Sequence, residues 1–251
     1  MSRQIKVFFG LALIAGSIGY GQTQEKQEAF VRRFSAGATL PVLGLNLVPK
    51  GSSNIVTTSP AVDSLYTTAP ASQRIGYGVM VQGAITGHFA VNISLLTRRI
   101  GYKLDTDVFT GTDNPSTAED ERIHTIRDED TRAHLYDLPV TVRYYFKERH
   151  EPGPRWFVEG GGALRRISNL RSSETTTDNA GVLHCCTFDP AVPASRTLRG
   201  LVVGAGLQLI DPVGIRVVPA VRYTRWTGQL FSSPSLGTRR DQVEGMVSLT
   251  F

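Results

Sequence analysis

Residues 136–146 read YDLPVTVRYYF. Tyr136, Leu138, Val140, Val142, Tyr144 and Phe146 share one parity, and Asp137, Pro139, Thr141, Arg143 and Tyr145 share the other. Alternation sustained over eleven residues predicts a β-strand with one apolar and one polar face. The closing stretch, DQVEGMVSLTF at 241–251, follows the same rule. Phe251, Leu249, Val247, Gly245 and Val243 are apolar or small, while Thr250, Ser248 and Glu244 are polar, with Met246 the exception. A soluble domain seldom spends its last residues this way, because termini fray.

Six further segments repeat the pattern. FSAGATLPV sets Phe34, Ala36, Ala38, Leu40 and Val42 on one face. IGYGVMVQGAIT does so with Ile75, Tyr77, Val79, Val81 and Ile85, and FAVNISLLTRR with Phe89, Val91, Ile93 and Leu95 opposite Asn92, Ser94 and Arg98. WFVEGGGALRR places Trp156, Val158 and Leu164 opposite Glu159 and Arg165. GLVVGAGLQLI and IRVVPAVRYTRW complete the set, the latter with Val217, Pro219, Val221 and Tyr223 opposite Arg216 and Arg222.

The eight segments are joined by connections that alternate in length. Those around Gly87-His88, KERHEPGPR and DPVG are short, whereas 43–74, 103–134, 167–199 and 227–241 are long, polar and read as irregular. Short turns at one end and long loops at the other predict an all-β, eight-stranded antiparallel up-and-down transmembrane β-barrel, with turns and both termini periplasmic and four loops extracellular. Aromatic placement separates this from a soluble barrel with an apolar lumen. Phe34, Phe89, Phe146, Trp156 and Phe251 lie on the apolar face at the short-turn ends, and Tyr77, Tyr136 and Tyr223 on the same face toward the long loops. Two belts around an aliphatic band suit the two interfaces of a bilayer.

The N-terminal residues fit export. Arg3 and Lys6 precede the uncharged VFFGLALIAGSIG, and Gly19-Tyr20-Gly21 is a small-x-small cleavage site. That apolar run is shorter than the roughly 20 residues a helix needs to cross a bilayer. Residues 1–21 are therefore expected to be a signal peptide, 22–33 a short periplasmic segment and 34–251 the barrel. With no cysteine near the cut, a lipid anchor is not expected. The formal charge of +5, or +3 without Arg3 and Lys6, is no nucleic-acid footprint.

YDLPVTVRYYF, VPAVRYTRW and the terminal VSLTF resemble the outer-membrane β-barrel domain family, small barrels of the OmpA/OmpX and PorT-like kind, over essentially the whole exported chain. The resemblance implies a C-terminal strand read by the barrel-assembly machinery, with Val247, Leu249 and terminal Phe251 as its signal. It implies no OmpA-type cell-wall tether, since no peptidoglycan-binding segment follows.

Eight strands enclose a lumen that side chains can fill, and charges within it must be paired. Extending the Phe146–Trp156 pairing along the ladder sets Arg143 opposite Glu159 and Asp137 opposite Arg165. Extending Ile215–Phe251 sets Arg222 opposite Glu244. These pairs are expected to form a salt-bridged plug, with a gated conduction path as the alternative. Arg99, Arg166 and Arg225 have lipid-facing parity near the loop ends. Snorkelling and contact with lipopolysaccharide phosphates both fit, and the two are compatible.

Other chemistry is less specified. His184-Cys185-Cys186 lacks the C-x2-C spacing of zinc sites, which leaves a vicinal disulfide, free thiols or a metal open. The acids Glu119, Asp120, Glu121, Asp128, Glu129 and Asp130 do not follow the EF-hand spacing, and interleaved arginines favour a self-neutralising loop over calcium binding. His124, His134 and His184 lie beside the long loops, with no spacing that singles out a triad. No metal, cofactor or nucleic-acid partner is expected. The function expected is non-enzymatic: envelope integrity or surface interaction at the outer membrane, among its lipid and lipopolysaccharide, with no surface ligand named. A narrow pore is the first alternative and a loop-rim enzyme the second.

Overall fold

The computed structural model describes residues 33–118, 120–151, 153–185, 193–211, 215–231 and 236–251. The expected leader and nearly all of the segment after it, residues 1–32, lie outside the described residues, as does Cys186. The strands are β1 (Phe34–Leu43), β2 (Gly51–Thr58), β3 (Ala61–Pro70), β4 (Tyr77–Ala84), β5 (Phe89–Thr110), β6 (Ile123–Tyr145), β7 (Arg155–Thr177), β8 (Leu183–Cys185), β9 (Thr197–Ile210), β10 (Arg216–Trp226) and β11 (Asp241–Thr250). Every pairing is antiparallel.

Eight of the strands close into a ring in the order β1-β4-β5-β6-β7-β9-β10-β11, sealed where β11 returns to β1. Each of these strands holds one of the eight alternating segments. The seam pairs Leu40 with Val247 and Gly37 with Thr250, so the chain's final strand has neighbours on both sides. Closure leaves the ring no unpaired edge.

The connections read as long irregular loops are in large part strand. β5, β6 and β7 run on for 22, 23 and 23 residues, where a tilted crossing needs about 9–11. Beyond the ring they build an open sheet, β2-β3-β5-β6-β7-β8, whose outer members belong to the first and third long connections. The reason lies in solvation. Above the ring both faces of a strand can be at least partly wet, so residues such as Val108, Thr110, Thr175 and Thr177 keep β propensity without apolar alternation. The fourth connection, read as 227–241, contains no named strand among its described residues before β11 begins at Asp241.

Burial in the ring is inverted relative to a soluble domain. Trp156 is 62 % and Tyr77 67 % exposed, whereas Arg143, Arg165 and Arg222 are each 1 % exposed. The interior has three levels. At the long-connection end Leu47 and Val48, from the chain after β1, meet Leu230, Phe231 and Leu236, from the chain before β11, over Ile100, Leu135, Val202 and Trp226. Charged side chains fill the middle. At the short-turn end Tyr145, Phe157, Val218 and Ala220 pack together. Gly206 makes the last layer fit: a Cβ there would lie 2.5 Å from the Phe157 ring and 2.8 Å from Ala220.

Candidate functional site

The middle of the ring is the densest polar constellation, and the ladder builds it. β6 and β7 pair so that Arg143 faces Glu159 and Asp137 faces Arg165. Arg143 Nε donates to Glu159 Oε2 at 2.8 Å, and its Nη1 donates to Gln82 at 2.9 Å. Arg165 grips both oxygens of Asp137, at 2.7 and 2.8 Å, in the bidentate geometry that suits guanidinium and carboxylate. Its planar face lies 3.9 Å from the Trp226 ring centre, a cation–π contact.

Arg222 and Glu244 are ladder partners on β10 and β11, yet no ion pair joins them. Arg222 reaches across β9 instead and bonds Glu159 Oε1 from Nε at 3.0 Å. Gly204 stands between the two in the same row, and its missing side chain leaves the passage open. Glu244 is bridged by Arg98, which also lies 3.7 Å from Asp137, and it accepts from Gln242 Nε2 at 2.6 Å. Gln242 accepts in turn from Arg165 at 2.6 Å and from Trp226 Nε1 at 3.2 Å. Two clusters result, Glu159 between two arginines and Asp137–Arg98–Glu244 beside Arg165. Four arginines against three carboxylates leave the layer at +1. Arg98 had inward parity in the sequence, but its partner stands on a non-adjacent strand, and only ladder neighbours can be read from register.

Phe34, Phe89, Phe146, Trp156 and Phe251 stand outward at the short-turn end, and Tyr77 and Tyr136 outward toward the other. Tyr144 joins Phe89 and Phe146 at centroid distances of 5.1 and 5.6 Å. Tyr223 is half-buried and donates its hydroxyl to Asp241 at 2.5 Å. Val247 and Leu249 face outward beside the seam. Of the three outward arginines, Arg225 lies 3.9 Å from Asp241, Arg166 pairs in register with Tyr136, and Arg99 with His134.

The candidate catalytic and metal groups are dispersed. His124 lies 3.2 Å from Asp107 and stacks on Phe109 at 4.3 Å. His184 lies 3.1 Å from Asp178, in the same turn whose Asn179 accepts from the His124 backbone at 3.2 Å. Asp128, Glu129 and Asp130 belong to strand β6, not to a loop. Asp130 is bridged by Arg132 and Asp120 by Arg122, at 2.7 and 2.6 Å. The Arg122 side-chain bond holds Asp120 well below its ordinary value, at about 2. Glu129 accepts from Tyr102 at 2.9 Å, and burial pushes that phenol above its ordinary range. Among the described residues no group of three or more His, Cys, Asp or Glu is arranged to hold a metal. The backbone of Cys185 closes β8 on Thr175, and a bridge to Cys186 falls outside the described residues.

No protein-family model matches the chain, and neither does any curated protein. Solved structures similar to it include Ail, the attachment invasion locus protein of Yersinia pestis, in complex with the heparin analogue sucrose octasulfate. That match has 11 % identity, covers 87 % of this chain and 96 % of Ail, and has a TM-score of 0.35. Neisserial surface protein A matches at 9 % identity over the same shares, with a TM-score of 0.35. The translocator domain of the autotransporter NalP from Neisseria meningitidis matches at 8 % identity, 88 % of each chain and a TM-score of 0.27.

Proposed function

We propose that this chain is a non-enzymatic bacterial outer-membrane β-barrel. Its ring crosses the bilayer, its termini are periplasmic, and its extended sheet is the part that meets the cell's surroundings. The observation that carries this reading is the inversion of burial, with aliphatic and aromatic side chains outward around a ring whose charges are inward and paired. In water that arrangement would leave an apolar belt far larger than a soluble monomer tolerates. In a bilayer the same belt is solvated by lipid, and closure satisfies the backbone.

A closed, structural or surface-interacting barrel is favoured over a pore by the lumen. The ionic layer fills its middle, and Leu47, Leu230 and Phe231 cover one mouth. A rim enzyme is disfavoured because His124 and His184 each pair with a carboxylate, an arrangement that supplies no nucleophile. The outward Val247, Leu249 and Phe251 are read as the signal for the assembly machinery, and the outward arginines as contacts to lipopolysaccharide.

The test is folding into lipid vesicles followed by planar-bilayer recording. A sample whose unboiled and boiled forms migrate differently, and which passes no stepwise current, agrees with the closed barrel. Failure to insert would remove the membrane reading. Discrete current steps would replace the plug with a conduction path.

A further inference from the structure

Directly above the Tyr136 row, the outer wall of β5, β6 and β7 carries a cleft of about 450 Å³. Arg99, Lys103, Arg132 and Arg171 line it against a single carboxylate, Asp130, so its charged side chains leave +3. Arg132 occupies that carboxylate at 2.7 Å. Among the described residues no carboxylate bridges Arg99, Lys103 or Arg171.

The backbone is bent to make this cleft. Between the Arg132–Arg171 and His134–Ser168 pairings, β7 holds one more residue than β6. Asn169, inside that bulge, has φ of 50°. The extra residue reverses parity: Arg166 and Ser168 face outward below it, Arg171 and Ser173 above it. Without it Arg171 would point to the buried side, where Ser172 now lies. The bulge thus brings Arg171 to the outer wall opposite Arg132. Like charges placed directly across a ladder repel, and bulges commonly re-aim a side chain at a functional site. A paired strand that is irregular only where it gathers a surplus of cations presents a shape and charge suited to an anion.

We infer that this cleft binds the phosphorylated headgroup of an outer-leaflet glycolipid, with the lipid's acyl chains lying along the apolar wall beneath it. The inference rests on the membrane reading above. The choice of lipid over free phosphate comes from position. The cleft stands one row above Tyr136 and Arg166, and Leu138, Val140 and Leu164 continue the same wall downward, outward and exposed. Guanidinium pairs match phosphate oxygens bidentately.

The experiment uses the full protein in phosphatidylcholine nanodiscs doped with either diphosphoryl lipid A or its dephosphorylated form. Insertion is scored first by heat-dependent migration, and bound lipid is then counted by native mass spectrometry. The wild type should retain one or more diphosphoryl molecules and not the dephosphorylated lipid. In Arg132→Gln/Arg171→Gln, retention should fall by roughly tenfold or more, as expected when charge-assisted bonds are lost. Lys50→Gln/Lys147→Gln, which removes the same charge elsewhere, should leave it unchanged. Equal retention of both lipids, or no loss in the cleft variant, overturns the inference while the barrel stands. Displacement of the lipid by millimolar inorganic phosphate overturns the lipid assignment. A chain that never inserts overturns both readings together.

Discussion

Single residues in the lumen differ in how much depends on them. Glu159 bridges both Arg143 and Arg222, alone in doing so among the described residues, so Glu159→Gln leaves two guanidinium groups buried without that counter-charge. Breaking a buried pair costs about 3–5 kcal/mol, and a urea titration followed by the heat-modifiable band should lose stability of that order. Glu244→Gln should cost less, because Arg98 keeps Asp137 at 3.7 Å. Equal losses would mean the two clusters act as one network. Gly206 offers a steric counterpart. Gly206→Leu drives a side chain into the Phe157 ring, and the variant should fail to give the folded band, whereas Gly51→Leu, with open space around it, should fold.

At the scale of elements, the turn joining β7 to β8 is tied by Asp178. Its carboxylate accepts from the backbone of Val182 at 2.9 Å and of Ala180 at 3.0 Å, and it lies 3.1 Å from the His184 ring. Those bonds, the Val182 amide first, lower its pKa below the ordinary 3.8. A depressed folded-state value means the stabilisation is complete above 3.8 and is lost as pH falls through the folded value. The protection of the Val182 amide, its exchange relative to the intrinsic rate at the same pH, should therefore fall below about pH 4, and Asp178→Asn should remove that dependence. The ring strands were legible because one face of each is apolar, so a period of two survives in YDLPVTVRYYF and VSLTF. The β5–β7 extensions and the β2–β3 hairpin were not, since strands wet on both faces have no reason to alternate. Register sets Arg143 opposite Glu159 and Asp137 opposite Arg165, which are ion pairs, but equally Arg222 opposite Glu244, which is not. Arg222–Glu159 and Arg98–Glu244 did not follow from register, because they join strands that are not neighbours and depend on Gly204 and on curvature. The basic cleft was legible only in part: Arg99 had the right parity, but nothing short of the bulge at Asn169 tells that Arg171 changes sides.

For the whole molecule, three layers lie in series along one axis: the loop-end apolar layer, the ionic layer below it and the Tyr145–Phe157 layer at the short-turn end. Leu230→Ala/Phe231→Ala should thin the first alone, and planar bilayers holding that variant should stay as silent as the wild type. Stepwise currents from the variant would show that the loops, not the arginines, hold the lumen shut. The seam sets a further condition of a different kind. Thr39 bonds Ser248 at 2.9 Å across 209 positions of chain, and every residue of β1 from Gly37 to Leu43 takes a partner from the last strand. Contacts of such long range are slow to form. Until its final residues are in place, the chain carries β1 with one edge open. Its half-made state is thus a length of time rather than a conformation, and whatever shields β1 through that interval governs how much of the protein closes.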